Sequence, residues 1–406
     1  MNNTLIAILV TLVSAVVSMI VYPKVFRFAK THHIVDNPNA RKLQRVPVPV
    51  LGGMVVYVGI LAGVAVLCFF MTTPLMGWGL FGMTIMMAIG TWDDIHELPA
   101  SFRFLIEIGL VTAFIFLTGV YVDGFHGLWG IYKLPEWLGV LSSIVAGVGL
   151  INAVNLIDGV DGYSSGYGML ACTCFGIMFW STWSPIMVCI TLIVVGALIP
   201  FFMHNVFGVK SKMFIGDGGT LMLGMLITML VFSSLSSKSQ HLMLENEGVG
   251  LIAFALAVTC IPVFDTLRVM TMRILRGTSP FKPDKTHLHH LFVDMEFSHL
   301  GAALVILALN GVVVVVWYLL WKLGASIDVQ FYVVFSLGIL ITFGFYKFMK
   351  VQQNGGPKDA EGYPQGTRIW HAFCRFGNWT HREKKLFWIK LRLLMDGPLM
   401  GNKEKS

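Results

Sequence analysis

The sequence predicts an all-α, polytopic membrane protein of about eleven spanning helices, with the first terminus outside and the last in the cytosol. Three observations carry this expectation. Of the 406 residues, 56% are hydrophobic and only 13% charged, against roughly 25% charged in a soluble domain. Apolar runs of spanning length recur almost end to end, so the bilayer takes the place of a protein interior as the apolar phase. Finally, when loops are sorted by side, 26 of the 29 Lys and Arg residues fall on one face, leaving Lys133, Lys238 and Lys322 opposite. Positive charge is retained in the cytosol, and a wrong span count would mix the two classes.

The first predicted helix, residues 4–23, has no basic residue before it and no small-residue cleavage site, which argues for a retained span rather than a removed signal peptide. The second, 51–72, begins at Gly52–Gly53 after the proline-containing run RKLQRVPVPV, and the third, 76–92, ends at Asp93–Asp94. Helices follow at 104–121, at 137–156, which runs into NAVNLIDGVDG, at 164–181 and at 186–204. The eighth, 219–236, starts after FIGDGG, and the last three are placed at 249–268, 301–321 and 330–349. Glycines and polar residues interrupt segments three, five and eight, so a ten-helix reading stays open. No internal repeat stands out.

Residues 1–350 form the predicted membrane domain. From 351 to 406 the chain becomes a polar linker and then a basic, aromatic tail with Trp370, Phe373, Trp379, Phe387 and Trp388. That mixture suits an amphipathic segment against anionic headgroups, or a docking element for a partner. The six cysteines lie mostly inside apolar runs without CxxC spacing, and read as small buried residues.

The polar motifs crowd the basic face. Asp93 and Asp94 close an apolar helix, where carboxylates are costly unless paired or bound to a cation. They read as a metal- or phosphate-handling pair, with one available as a base, or else as a solvated helix end. Asp158 and Asp161 stand three apart, with Asn152 and Asn155 behind them at the same spacing. If the helix continues, all four share a face. Asp217 sits among Gly216, Gly218 and Gly219, a cradle for an anion or metal, or an ordinary helix cap. Asn205 lies on the same side.

The segment from Asp265 to His290 presents Arg268, Arg273, Arg276, His287, His289 and His290, donors suited to diphosphate oxygens. A zinc site is the competing reading, disfavoured by tight histidine spacing and the lack of a nearby cysteine. Arg41, Lys42 and Arg45 can steer phosphate, or serve as a solvated juxtamembrane loop.

Taken in order, Asp93–Asp94, NAVNLIDGVDG, FIGDGG and HLHH resemble the signature set of the polyprenyl-phosphate N-acetylhexosamine-1-phosphate transferases, over roughly residues 1–350. The HLHH form resembles the branch that uses UDP-GlcNAc and undecaprenyl phosphate more than the branch acting on UDP-MurNAc-pentapeptide. The resemblance implies a cytosolic cleft in a bacterial inner-membrane protein, Mg²⁺ as cofactor with Mn²⁺ as a substitute, and no nucleic-acid partner. The implied products, UMP and a lipid diphosphate sugar, would initiate cell-envelope glycan synthesis, and a homodimer is compatible with it.

By position, Asp217 matches a metal ligand, and Asp93 and Asp94 match an acidic pair serving metal or lipid phosphate. Asn155, Asp158 and Asp161 match the nucleotide-sugar segment, Phe214 an aromatic residue stacking on uracil, and His287, His289 and His290 a histidine loop near the diphosphate. A transporter is the rival from another class, and it predicts charges reaching the membrane midplane rather than crowding one face.

Overall fold

The computed structural model describes residues 2–36, 47–238, 244, 247–281, 284–358 and 365–382. Each of the eleven predicted segments coincides with helix. In chain order these are α1 (Asn3–Thr31), α2 (Gly52–Leu67), α3 (Pro74–His96), α4 (Ala100–Thr118), α5 (Glu136–Leu156), α6 (Tyr163–Ser181), α7 (Pro185–Phe207) and α8 (Gly216–Leu235). Then come α9 (Leu251–Val258), α10 (Cys260–Leu275), the short α11 (Leu288–Asp294) and α12 (His299–Lys322). The long α13 (Ile327–Asn354) is π-helical at Leu340–Phe345, and α14 (Arg368–Arg382) closes the described chain.

Among the described residues, eight helices are long and apolar enough to cross a membrane, or nine if the bent pair α9–α10 is one span. The 16-residue α2 is apolar but short, and α6 carries more polar residues. The only described strands, β1 (Val35–Asp36) and β2 (Val48–Pro49), pair antiparallel beside the end of α1.

Helix α8 is the axis of the bundle. It is buried along its whole apolar window, as an all-round hydrophobic helix must be, and α3, α5 and α2 pack around it. Contact with α3 is close because small residues meet there: a Cβ on Gly90 would stand 2.5 Å from the Asp217 backbone. Outward side chains such as Leu12, Phe116, Ile177 and Leu319 are exposed and apolar, as expected of surfaces facing lipid.

The ninth predicted span differs from expectation, because it breaks by 73° between α9 and α10. Pro262 has no N–H to give the Val258 carbonyl four residues back. Asn310 of α12 repairs the break, its amide reaching Val258 O at 3.0 Å and its carbonyl accepting from Ile261 N at 2.9 Å. Helix α10 runs on to Leu275, past the predicted end of that span at residue 268.

Loops predicted to share a face do meet. At one end Trp129 N donates to Asp328, Ser237 N to Asp123, and Gln330 bonds Gly248 and Gly250. The motif-bearing segments converge at the other end.

Candidate active site

A cleft of about 940 Å³ opens at that end. It is lined by Asp93, Asp94, Asn155, Asp158, Asp161, Asn205, Phe214, Asp217 and all three histidines of the HLHH run. The acidic residues expected to act together are thus brought together. Arg41, Lys42 and Arg45 lie outside the described residues.

The two adjacent aspartates of α3 do different work. Asp93 accepts from Leu98 N at 2.6 Å, closing the turn into α4, and pairs with Arg103 Nη1 at 2.7 Å. Asp94 reaches across to α8 and accepts from the amides of Asp217 at 2.9 Å and Gly218 at 3.2 Å. It caps α8 by serving the amides the first helical turn leaves over. The expected phosphate cradle at those amides is therefore filled by a side chain of the protein. Gly216 makes the approach possible: its φ is 72°, and a Cβ there would stand 2.5 Å from Asp94 Oδ2.

Asp217 stands between α4 and α5. Its Oδ1 accepts from Asn155 Nδ2 at 2.9 Å and its Oδ2 lies 3.3 Å from Arg103 Nη1. Arg103, the only cation between residues 93 and 103, was not expected in the site. It links Asp93 to Asp217, with buried Glu107 one turn on, its Oε1 3.8 Å from Arg103 Nε. An acid at i+4 from a lone arginine in an apolar helix was the available signal.

The expected stripe of four polar residues is divided. Helix α5 ends at Leu156, so Asp158 and Asp161 sit in the following turn. Asn152 faces Glu107 rather than the cleft. Asp158 accepts from the Ser164 hydroxyl. Asp158 is itself open to the cleft, and it is the loss of bulk water between the cleft walls, with the nearby charges of Asp217 and Asp161 adding, that pushes its carboxyl up to about 7 although the Ser164 bond opposes this. Burial would also raise Asp161, but His299 Nδ1 at 2.9 Å and Lys212 Nζ at 2.6 Å outweigh it and hold that carboxyl below its ordinary value.

Asn205 is 5% exposed and bonded at both ends to backbone, accepting from Gly162 N at 2.7 Å and donating to Met213 O at 2.9 Å. It ties the Asp161 turn to the segment before Phe214. Phe214 flanks the cleft with Lys212 Nζ 5.3 Å from its ring centre.

Arg268, expected as a phosphate contact, lies behind the cleft wall. It is 2% exposed and stacked 3.8 Å from the Tyr346 ring centre, and it donates to Asp265 at 2.7 Å and to Thr286 O at 2.5 Å. Asp265 in turn accepts from His287 Nδ1 at 2.9 Å and from Leu288 N. With Nδ1 so engaged, Nε2 of His287 is left for the cleft, which that residue lines. Arg268 thus acts through Asp265 on His287.

His289 packs against Gly159, where a Cβ would stand 2.0 Å from its Nε2. Burial and neighbouring histidines push His289 well down and His290 to about 4, so both are neutral near pH 7. Arg273 holds Asp284 through paired bonds of 3.0 Å at the rim.

The donor chemistry suits a hard cation. Asp94, Asp158 and Asp217 offer carboxylate oxygens and Asn155 an amide oxygen, with no thiolate at the cleft. Among the described residues no three acidic, histidine or cysteine side chains converge closely enough to enclose a metal. Mg²⁺ does not require enclosure, since it keeps several waters and binds one or two carboxylates together with substrate phosphates.

An acidic, histidine-rimmed cleft at one end of a bundle of helices long and apolar enough to cross a membrane fits a membrane enzyme. The comparisons narrow the class, and the chain belongs to glycosyl transferase family 4, whose profile matches residues 75–235. The chain is 30% identical over 300 residues, covering 73% of this chain and 79% of the relative, to a protein of Bacillus subtilis (strain 168) named probable undecaprenyl-phosphate N-acetylglucosaminyl 1-phosphate transferase. It is 24% identical to the undecaprenyl-phosphate alpha-N-acetylglucosaminyl 1-phosphate transferase of Escherichia coli (strain K12), over 71% of this chain and 78% of that one. It is 27% identical to a decaprenyl-phosphate N-acetylglucosaminephosphotransferase of Mycobacterium leprae (strain TN), over 75% and 81%.

Proposed function

We propose that the protein transfers N-acetylglucosamine 1-phosphate from UDP-GlcNAc to undecaprenyl phosphate, releasing UMP and forming the lipid diphosphate sugar that initiates a cell-envelope glycan. The carrying observation is the convergence of Asp93, Asp94, Asp158, Asp161 and Asp217 with His287, His289 and His290, from four distant segments, in one cleft. The names of the relatives support the acceptor and sugar, and do not favour the UDP-MurNAc-pentapeptide reading. Acids gathered at one end rather than spread through the bundle count against a transporter.

The same reading places eleven crossings in the bacterial inner membrane, counting α2, α6 and the bent α9–α10 as spans, with residue 1 outside and the cleft in the cytosol. The asymmetry of Lys and Arg supports that orientation. Residues 1–350 form the catalytic domain. Residues 351–406 form a separate basic, aromatic tail, and exposed Ile369, Phe376 and Trp379 on its described helix α14 suit the cytosolic lipid interface.

In the reaction, an oxygen of the lipid phosphate attacks the β-phosphorus of the nucleotide sugar, and the bond between β-phosphorus and the bridging oxygen breaks as UMP leaves. Asp217 and Asp94 would hold Mg²⁺, with Asp93 tied to Arg103 behind them. The ion supplies charge neutralisation between two phosphates that otherwise repel. Asp93 or Asp94 would take the proton of the attacking phosphate, the first held by Arg103 and the second by the amides that open α8. His287, fixed by Asp265 and Arg268, donates to diphosphate oxygens, joined by neutral His289 and His290. Phe214 offers its ring to uracil, and the Asp158–Asp161 turn with Asn155 receives the nucleotide sugar.

Purified protein incubated with Mg²⁺, undecaprenyl phosphate and a panel of UDP-sugars is expected to release UMP with UDP-GlcNAc. Release only with UDP-MurNAc-pentapeptide would move the protein to the other branch, and no release with any sugar would overturn the reading. Inversion at a chiral β-phosphorus is expected of the direct displacement, and net retention would indicate a covalent aspartyl step.

A stability test follows from Asp158. Its folded-state pKa of about 7 lies above the ordinary 3.8, so the folded protein keeps a proton that the unfolded chain releases in between. In chelator-treated buffer, stability is expected to fall as pH rises from about 4 to about 7. Thermal unfolding of Asp158→Asn should show a flatter profile over that window, and an unchanged slope would remove Asp158 as its source.

A further inference from the structure

Helix α14 lies outside the segment matched by the family, yet it is seated against the turn that leads into the cleft. That turn, residues 295–298, joins α11 to α12. Gly377 permits close seating, since a Cβ there would stand 2.2 Å from the Met295 carbonyl oxygen. On the facing side a Cβ on Gly301 would stand 2.7 Å from Thr380 Oγ1. Thr380 Oγ1 accepts from Ser298 N at 3.0 Å, the Asn378 amide bonds the Glu296 carboxylate, and a His381 ring nitrogen lies 3.1 Å from Glu296 O. Trp370 is buried, and the rings of Phe297 and Phe376 meet at 5.7 Å.

Within this grip Glu296 has φ 62°. A left-handed conformation costs a residue other than glycine roughly 1–2 kcal/mol, and it persists where surrounding contacts hold it.

The next residues enter the site. Ser298 caps α12, its hydroxyl accepting from Gly301 N at 3.1 Å. His299 opens α12 and puts Nδ1 2.9 Å from Asp161 Oδ2, the oxygen that Lys212 also contacts at 2.6 Å. The amide held by α14 and the imidazole held by the cleft therefore belong to consecutive residues.

We propose that α14 is a positioning element for the nucleotide-sugar side of the cleft, fixing the 295–298 turn so that His299 stays against Asp161. The proposal rests on the assignment of the Asp161 turn to the nucleotide sugar. Loss of the grip lets Glu296 relax out of its left-handed conformation and shifts the register of His299, leaving Asp161 to Lys212 alone. Binding at that turn weakens, while the lipid phosphate, which approaches Asp94, is little affected.

The test is a double-mutant cycle on the full-length protein, joining Gly377→Leu, which wedges α14 from the turn, with His299→Ala. A charged hydrogen bond is worth enough that Gly377→Leu is expected to raise KM for UDP-GlcNAc about tenfold or more, with KM for undecaprenyl phosphate changed less than about twofold. Thr380→Val should act in the same direction, and Thr380→Ser should stay near the parent. Because both changes act through one imidazole, the double variant should be no worse than His299→Ala alone. Additive losses, or equal rises in both KM values, would overturn the proposal.

Hydrogen exchange gives a second readout independent of turnover. Gly377→Leu should raise exchange at residues 157–162 as well as 295–301, and unchanged exchange at 157–162 would overturn the coupling. If the parent released no UMP with any sugar, the substrate assignment would fall while hydrogen exchange still decided the coupling.

Discussion

Asp217→Asn is expected to lower kcat for UMP release by about 10³-fold, the upper range for removing one preorganised electrostatic group from an active site. Asp217 is the carboxylate on which the site converges. One oxygen meets Asn155 from α5, the other faces Arg103 from α4, and its own amide is held by Asp94 from α3. The substitution keeps shape and backbone while removing the charge that would hold Mg²⁺. KM for the nucleotide sugar should change much less than kcat, because Phe214, Asn155 and the Asp161 turn remain. Steady-state kinetics on protein that elutes as the parent does would decide it. Activity within about tenfold of the parent, too small a loss for such a group, would remove Asp217 from the chemistry.

The second large effect concerns Arg103 and separates stability from activity. Arg103→Leu leaves Asp93 and Asp217 without their guanidinium and leaves Glu107, its side chain 1% exposed, with no cation nearby. Removing one partner of a buried charged network costs about 3–5 kcal/mol, and because Arg103 is itself 19% exposed the lower end is expected, about 3 kcal/mol. A drop in the thermal unfolding midpoint should accompany a loss of activity of about 10²-fold.

Adding Glu107→Leu removes the most deeply buried of the three carboxylates so stranded. The double variant should regain part of the stability, since apolar replacement of a buried ionic pair is often neutral or better while Asp93 and Asp217 stay unpaired, but none of the activity. Joint recovery would mean that Arg103 serves only the fold. Failure to regain stability would mean that Glu107 is not the group Arg103 compensates.

These two expectations rest on different kinds of information. Asp217 was legible in the sequence because, although a carboxylate among glycines reads equally as a helix cap, this one stands in FIGDGG, which matches a family motif. Arg103 was not, because a single cation at a loop's end reads equally well as retention of positive charge. The same ambiguity concealed Lys212 and His299, which become site residues only when the turn carrying Asp161 is folded against them. Arg268 shows the converse: its position among other basic residues suggested a ligand contact, whereas the fold turns it inward onto Asp265 and Tyr346. Asn152 also belonged to a convincing spacing pattern that ended when α5 stopped at Leu156.

What the sequence by itself determined was the positions of the helical segments and the crowding of polar motifs at one end. Both are local properties: each span must be apolar over its own length and satisfy its own backbone in lipid, and charge is sorted loop by loop. What only the tertiary structure decided was which charges hold each other. Asp94 caps a helix 123 residues away and Arg103 reaches a carboxylate 114 residues away, and such pairings leave no periodic trace. They follow from how α3, α4, α5 and α8 pack, which is set by the shapes of small and large side chains at helix contacts rather than by hydropathy along the chain.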